Sequence, residues 1–184
     1  MIHFLNETLR QLFLARIDGL EDASQVSFEF PEEEFRSQVK THGRNTLNVF
    51  LVDLRENRTA LPARTSEQAG TFRRIDCHYL ISAWSPATRN VEPSFDEHDL
   101  LYKTMAVLMQ TELLAPGKVY GRLPLPKGFP GILRDAELPL VVQPVERFAR
   151  TAEFWLATKG TLWKPSIHLV ITLPVMPQDT TANV

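Results

Sequence analysis

Two short stretches bring together side chains that can do chemistry. Asp96-Glu97-His98-Asp99 offers three carboxylates and an imidazole, the donor types of a divalent-metal site. Asp76-Cys77-His78 offers a thiol with a base nearby, the elements of a nucleophile. Neither spacing suits its chemistry. Consecutive residues on a helix splay about 100° apart, so the first four side chains cannot converge on one ion. In a strand, alternate residues face opposite ways, which turns Cys77 away from Asp76 and His78. Helix capping accounts for the first cluster, and a small buried hydrophobe accounts for Cys77. His3, His42 and His168 each stand alone. Glycine-rich phosphate loops, the GxSxG nucleophile elbow and HExxH are all absent from the sequence. The expectation is therefore no catalytic residue, no cofactor and no metal.

Composition narrows the class. The chain has 184 residues, 43% hydrophobic and 23% charged, with a formal net charge of −2. That is one ordinary domain with enough apolar content for a core, and it lacks the basic excess of a nucleic-acid binder. A lone cysteine rules out an internal disulfide and any CxxC motif. No apolar run reaches the roughly 20 residues of a membrane helix, and no signal peptide is expected at the start. A cytoplasmic single domain over residues 1–177 is expected, with a flexible polar tail over 178–184.

The elements that must position any site follow from periodicity. Ile2, Leu5, Leu9, Leu12, Phe13 and Ile17 fall on one arc of a helix spanning 2–17. Phe4 and Leu14 lie off that arc and call for a second covering element or a subunit contact. Val26, Phe28 and Phe30 alternate as a short strand. LNVFLVDL, residues 47–54, is apolar on both parities, the mark of a central strand covered on both faces. Residues 72–84 form a second strand, too long to be wholly core, that pairs with it as a hairpin. A second helix follows, with Ser94 and Glu97 spaced as a capping box and Leu100, Leu101, Thr104, Met105, Val107 and Leu108 on one face. The Pro/Gly density of 116–131 argues for a loop. A strand at 138–143, a short helix capped by Thr151 and closed by Gly160, and a strand at 167–173 complete the chain. The expected fold is α+β: a mixed or antiparallel sheet with two main helices and one short helix, packed mainly on one face.

Charge is unevenly spread. From Ile17 to Phe35 there are seven acids, including Glu32, Glu33 and Glu34, and no Lys or Arg. From Leu113 to Arg134 there are four bases, Lys118, Arg122, Lys127 and Arg134, and no acid. Two solvated surfaces would explain this. A contact between one copy's basic segment and the next copy's acidic segment would explain it too, and repeated by rotation it would close a ring.

Three blocks of the sequence carry a resemblance. They are Asn45-Thr46-Leu47-Asn48-Val49-Phe50-Leu51-Val52-Asp53-Leu54-Arg55-Glu56-Asn57-Arg58, Asp76-Cys77-His78-Tyr79-Leu80-Ile81-Ser82-Ala83-Trp84, and Ala152-Glu153-Phe154-Trp155 with Lys164-Pro165-Ser166-Ile167. With the opening helix over Met1–Arg16, they resemble the cap, or tail-terminator, proteins of phage-tail-like contractile injection systems of the antifeeding-prophage and virulence-cassette type. Cys77 and Val52 depart from the pattern, which would have a larger apolar residue and an aromatic there. Some relatives carry a further C-terminal region, and this chain looks like the core domain alone.

The resemblance implies a tail-terminator-like single domain with a structural, non-enzymatic role. Six copies would form a ring on the distal end of an inner tube, stop its growth and anchor the last sheath layer. The implied partners are further copies of the chain, the inner-tube protein and the sheath protein, with no nucleic acid and no membrane insertion. Assembly would be cytoplasmic, before the particle is released or docked at a membrane. Arg55, Glu56, Asn57 and Arg58 close a strand in a family-like motif and suit either a contact or an internal turn. Trp84, Trp155 and Trp163 are aromatic anchors for an interface or for the core. Projecting parts of the hairpin and an edge strand among 26–30, 138–143 and 167–173 are the expected sheath or tube contacts. Readings from two other classes stand beside this one: a monomeric adaptor that recruits a partner through its Pro/Gly segment, and an enzyme with an unfamiliar site.

Overall fold

A computed structural model describes residues 1–58, 73–87, 92–142, 153–156 and 163–175. The expected tail, and Thr151 and Gly160 at the ends of the expected short helix, lie outside the described residues. The elements are α1 (Ile2–Arg16), β1 (Val26–Ser27), α2 (Glu33–His42), β2 (Thr46–Asn57), β3 (Arg74–Trp84), α3 (Pro93–Met109), β4 (Leu113–Leu114), α4 (Pro116–Tyr120), α5 (Gly131–Arg134), β5 (Leu138–Val142) and β6 (Ser166–Pro174).

The strands form one mixed six-stranded sheet in the order β1-β2-β3-β6-β5-β4. Only β1 and β2 run parallel; the other pairs are antiparallel. β2 and β3 are the expected hairpin, in register from Thr46 opposite Trp84 to Asn57 opposite Arg74, with an irregularity between Leu51 and Asp53. Burial fades toward the Asn57 end of β2 and the Arg74 end of β3, so the hairpin projects beyond the core there.

Alternation along the strands assigns the two faces. Leu47, Val49, Cys77, Tyr79, Ile81, Ala83, Ile167, Leu169 and Ile171 pack beneath α1 and α3 in the main core. Tyr79 donates its hydroxyl to Asn6 Oδ1 at 2.7 Å and ties α1 to the sheet centre. Burial holds that phenol far above its ordinary pKa. The off-arc Phe4 of α1 is covered by Phe129, with ring centroids 5.1 Å apart. On the opposite face a second cluster joins Phe35 and Val39 of α2 to Leu80, Trp84 and Trp155. The central strands are thus covered on both sides, as the two-parity pattern of 47–54 requires.

Four local expectations are corrected. α2 lies in a stretch with no expected element. Pro116 and Pro130 start short helices inside the Pro/Gly segment, because proline is tolerated where a helix begins and the first N–H groups have no partner. Gly117 lets α4 pass α5: a Cβ there would meet the Arg134 carbonyl oxygen at 2.8 Å. β1 stops at Ser27 and not at Phe30. Asn48 Nδ2 donates to the Glu29 carbonyl at 2.7 Å, and Phe30 turns to pack edge-on against Phe50. α3 begins at Pro93 behind Glu92 and carries no side-chain cap, so the Ser94–Glu97 capping box does not form.

Cys77 is fully buried among the main-core side chains, on the face away from His78. Burial, with a smaller push from the Asp76 charge, raises its thiol to about 12. In native protein at pH 8 it should resist a maleimide for hours and label at once in urea; rapid native labelling would contradict this placement.

Candidate functional site

The ends of β3 and β6 meet the start of α3 at one end of the sheet. Lys164, just before β6, donates its Nζ to the Ala83 carbonyl at 3.1 Å and lies 4.5 Å above the Trp84 ring. The same ammonium pairs with Glu97, and both side chains are largely buried. Glu97 also accepts the Ser85 backbone N–H at 3.1 Å, so one carboxylate bridges β3, α3 and the entry to β6. Burial pulls Lys164 below its ordinary pKa, and the hydrogen bond and charge of Glu97 oppose that pull.

Aromatic rings extend this node. Trp84 donates Nε1 to Ser82 Oγ at 2.9 Å and meets Phe35 edge-on at 5.4 Å. Trp155, in the helical residues 153–156, donates Nε1 to Ser166 Oγ at 3.1 Å and stands 6.5 Å from Trp84. A groove of about 730 Å³ opens beside the node, bounded among the described residues by Arg36 and Lys40 of α2, Trp84, His98 and Trp163. Its walls mix both charge signs with indole surface.

The acids of the first chemistry candidate are engaged separately. Asp96 accepts from Ser85 Oγ at 3.1 Å, Asp99 pairs with Lys103 at 2.7 Å, and Glu97 belongs to Lys164. His78 and His168 are buried on the α2 face with ring centroids 5.6 Å apart, while Cys77 points the other way.

At the projecting end, Arg55 donates Nε to Asp53 Oδ2 at 2.7 Å and holds that carboxyl below its ordinary range. Arg58 pairs with Glu56 at 3.0 Å. Asp76 Oδ1 accepts from Asn57 Nδ2 at 2.9 Å and from Thr172 Oγ1 at 2.7 Å, joining three strands through one oxygen. These residues stitch the strand ends, and the charged heads of Glu56 and Arg58 remain exposed. Beyond its pairing with β1 at Leu47 and Asn48, the outer edge of β2 has no strand beside it among the described residues.

Of the basic segment, Lys118 is taken by Glu137 at 3.0 Å and Arg134 by Asp135 at 2.8 Å. Both acids lie just beyond the acid-free window. Arg122 and Lys127 are exposed and form no ion pair among the described residues. Glu32, Glu33 and Glu34 are exposed at the start of α2, where Glu33 and Glu34 complement the positive end of the helix dipole. Trp84 is buried within the chain itself, so it can reach a partner only through the groove.

Sequence reasoning passed over Glu97 as an ion-pair partner and Lys164 as a buried cation. The closeness of Trp84, Trp155 and Lys164, each inside a resembling block, was the available signal.

Two solved structures share this fold. One is the sheath/tube terminator of an extracellular contractile injection system, PVC, in its extended state: 19% identity, TM-score 0.60, covering 97% of this chain and 57% of that one. The other is the anti-feeding prophage cap, a tube terminating cap: 18% identity, TM-score 0.55, covering 98% of this chain and 60% of that one. The chain therefore spans somewhat more than half the length of each. No curated protein matches it. The fold class is that of the tube-terminating caps of contractile injection systems. The chain belongs to the Pvc16 N-terminal domain family, whose model matches residues 5–184.

Proposed function

We propose that this chain is a structural terminator of a contractile injection system. Six copies form a ring on the distal end of the inner tube, end its growth and anchor the last sheath layer. The observation that carries the reading is a fold shared over nearly the whole chain with a sheath/tube terminator and a tube terminating cap. The ring assembles in the cytoplasm as part of the particle, with the tube and sheath proteins as partners and no substrate turned over.

The surfaces suit that work. A terminator presents one face resembling the next tube ring and another that refuses addition. The open outer edge of β2 can accept a partner strand through backbone hydrogen bonds. Its charged end, Arg55 to Arg58, limits where pairing can start and keeps such edges from aggregating. Arg122 and Lys127 beside α1, with Lys118 at their margin, face the next copy's Glu32, Glu33 and Glu34. That contact joins two different surfaces and closes by rotation.

Reversing Arg122 and Lys127 to Glu should dissociate the ring at low salt, read as a drop in mass by light scattering. Adding Glu33→Lys and Glu34→Lys to the same chain should restore it. An oligomer unmoved by the first pair of changes would contradict the contact.

A further inference from the structure

α3 carries more exposed apolar surface than a solvent-facing helix needs. Phe95, Tyr102 and Met109 are 70%, 75% and 72% exposed. They recur every seven residues, so they fall within about 40° of one line and form a ridge roughly 21 Å long. Side chains of this size offer about 150–250 Å² each, so the ridge leaves roughly 400 Å² of apolar surface in water. A patch of that size is comparable to the largest on a typical monomer, which is often functional, and it is about half of what one partner of a stable interface buries.

The opposite face has a matching feature. Leu156 is 81% exposed and Phe30 is 40% exposed. Phe30 meets the Phe154 ring at 6.0 Å, and Leu156 follows buried Trp155 in the same helical segment, on the side of the sheet that α2 covers. The charges divide in the same sense. Arg122 and Lys127, which form no ion pair among the described residues, sit on the α1 side, where Phe129 packs on Phe4. Glu32, Glu33 and Glu34 open α2, which packs on the other face. Two α1 sides placed together would set base against base. Front against back sets apolar on apolar and base on acid.

We infer that the Phe95–Tyr102–Met109 ridge seats on the Phe30/Leu156 side of a second copy of this chain, as the apolar centre of a head-to-tail ring contact. The inference rests on the ring reading above and names its surfaces. Because each copy offers the ridge once and the receiving surface once, every copy has two neighbours, and in the ring reading the rotation between them closes the set.

The test uses thiol cross-linking, with buried Cys77 as a silent background. Chains carrying Tyr102→Cys, Leu156→Cys or both are treated with a short bismaleimide, as purified protein and in assembled particles. The doubly substituted chain should give a ladder of covalent multimers in at least one setting, while each single variant stays monomeric on a denaturing gel. Separately, Tyr102→Glu should weaken self-association at least tenfold, and Tyr102→Phe should leave it unchanged, both with native circular dichroism. Dimers from Tyr102→Cys alone, which would mean α3 against α3, overturn the inference, as does the lack of a ladder in both settings. Tube length judges the terminator reading on its own. A ladder in particles whose tubes stay uncontrolled although the chain is present keeps this contact and sinks that reading; tubes whose length depends on the chain, without a ladder, do the reverse.

Discussion

Glu97→Gln is expected to destabilise the protein by about 3–5 kcal/mol near neutral pH, the cost of leaving a buried charge without its partner. Lys164 and Glu97 expose only 15% and 16% of their side chains, so solvent cannot replace the lost carboxylate. The remaining contacts of the ammonium, the Ala83 carbonyl and the Trp84 ring, are neutral. The pH dependence has a definite sign. Burial holds Lys164 below its ordinary 10.5, so between that lowered value and 10.5 the unfolded chain binds more protons than the folded one. Through this group, stability therefore rises with pH across that window. Without Glu97, the one influence that raises the Lys164 pKa is gone and the window opens further down. The deficit of Glu97→Gln relative to the parent should accordingly shrink as pH climbs from 7 toward 10.5. Urea midpoints at several pH values measure both effects. A loss below about 1 kcal/mol at pH 7 would mean that the pair behaves as an exposed surface bridge.

The second large effect is at Trp155, which is 3% exposed and joins the 153–156 turn to Ser166 and to the Trp84 cluster. Trp155→Ala should cost about 3–5 kcal/mol through the cavity it leaves. Trp155→Phe should cost less, because a ring still fills most of the space although the bond to Ser166 Oγ is lost. Equal losses from the two variants would assign the stability to the hydrogen bond and contradict a packed aromatic cluster. Intrinsic fluorescence in urea would follow both.

How far the sequence could be read depended on whether the cause was local. The helix over 2–16, the two-parity strand at 47–54 and the alternation that hides Cys77 all arise from periodicity and were readable. α2 was not, because only Phe35 and Val39 of its ten residues are buried, and two apolar positions make no visible stripe. Its end signals were nevertheless present. Glu33 and Glu34 stand in the first turn, Lys40 and His42 in the last, and Gly43 follows at φ 66°, the left-handed conformation that ends helices. The Ser94–Glu97 spacing pointed to a cap because local rules know nothing of Lys164, 67 positions away and nearer in space. The candidate contacts were legible as charge runs but not as charges in excess. Glu137 and Asp135 lie just outside the acid-free window and neutralise half of it. The α3 ridge was hidden for a related reason. Phe95, Tyr102 and Met109 look like ordinary apolar content in a helix that already has a core face, and only the fold shows them turned outward.

Electron microscopy of particles from cells lacking this chain tests the central claim most directly. Inner tubes of uncontrolled length and sheaths that detach at the end distal to the baseplate are expected, with normal length restored when the chain is supplied again. Particles of ordinary length and intact sheath in its absence would contradict it.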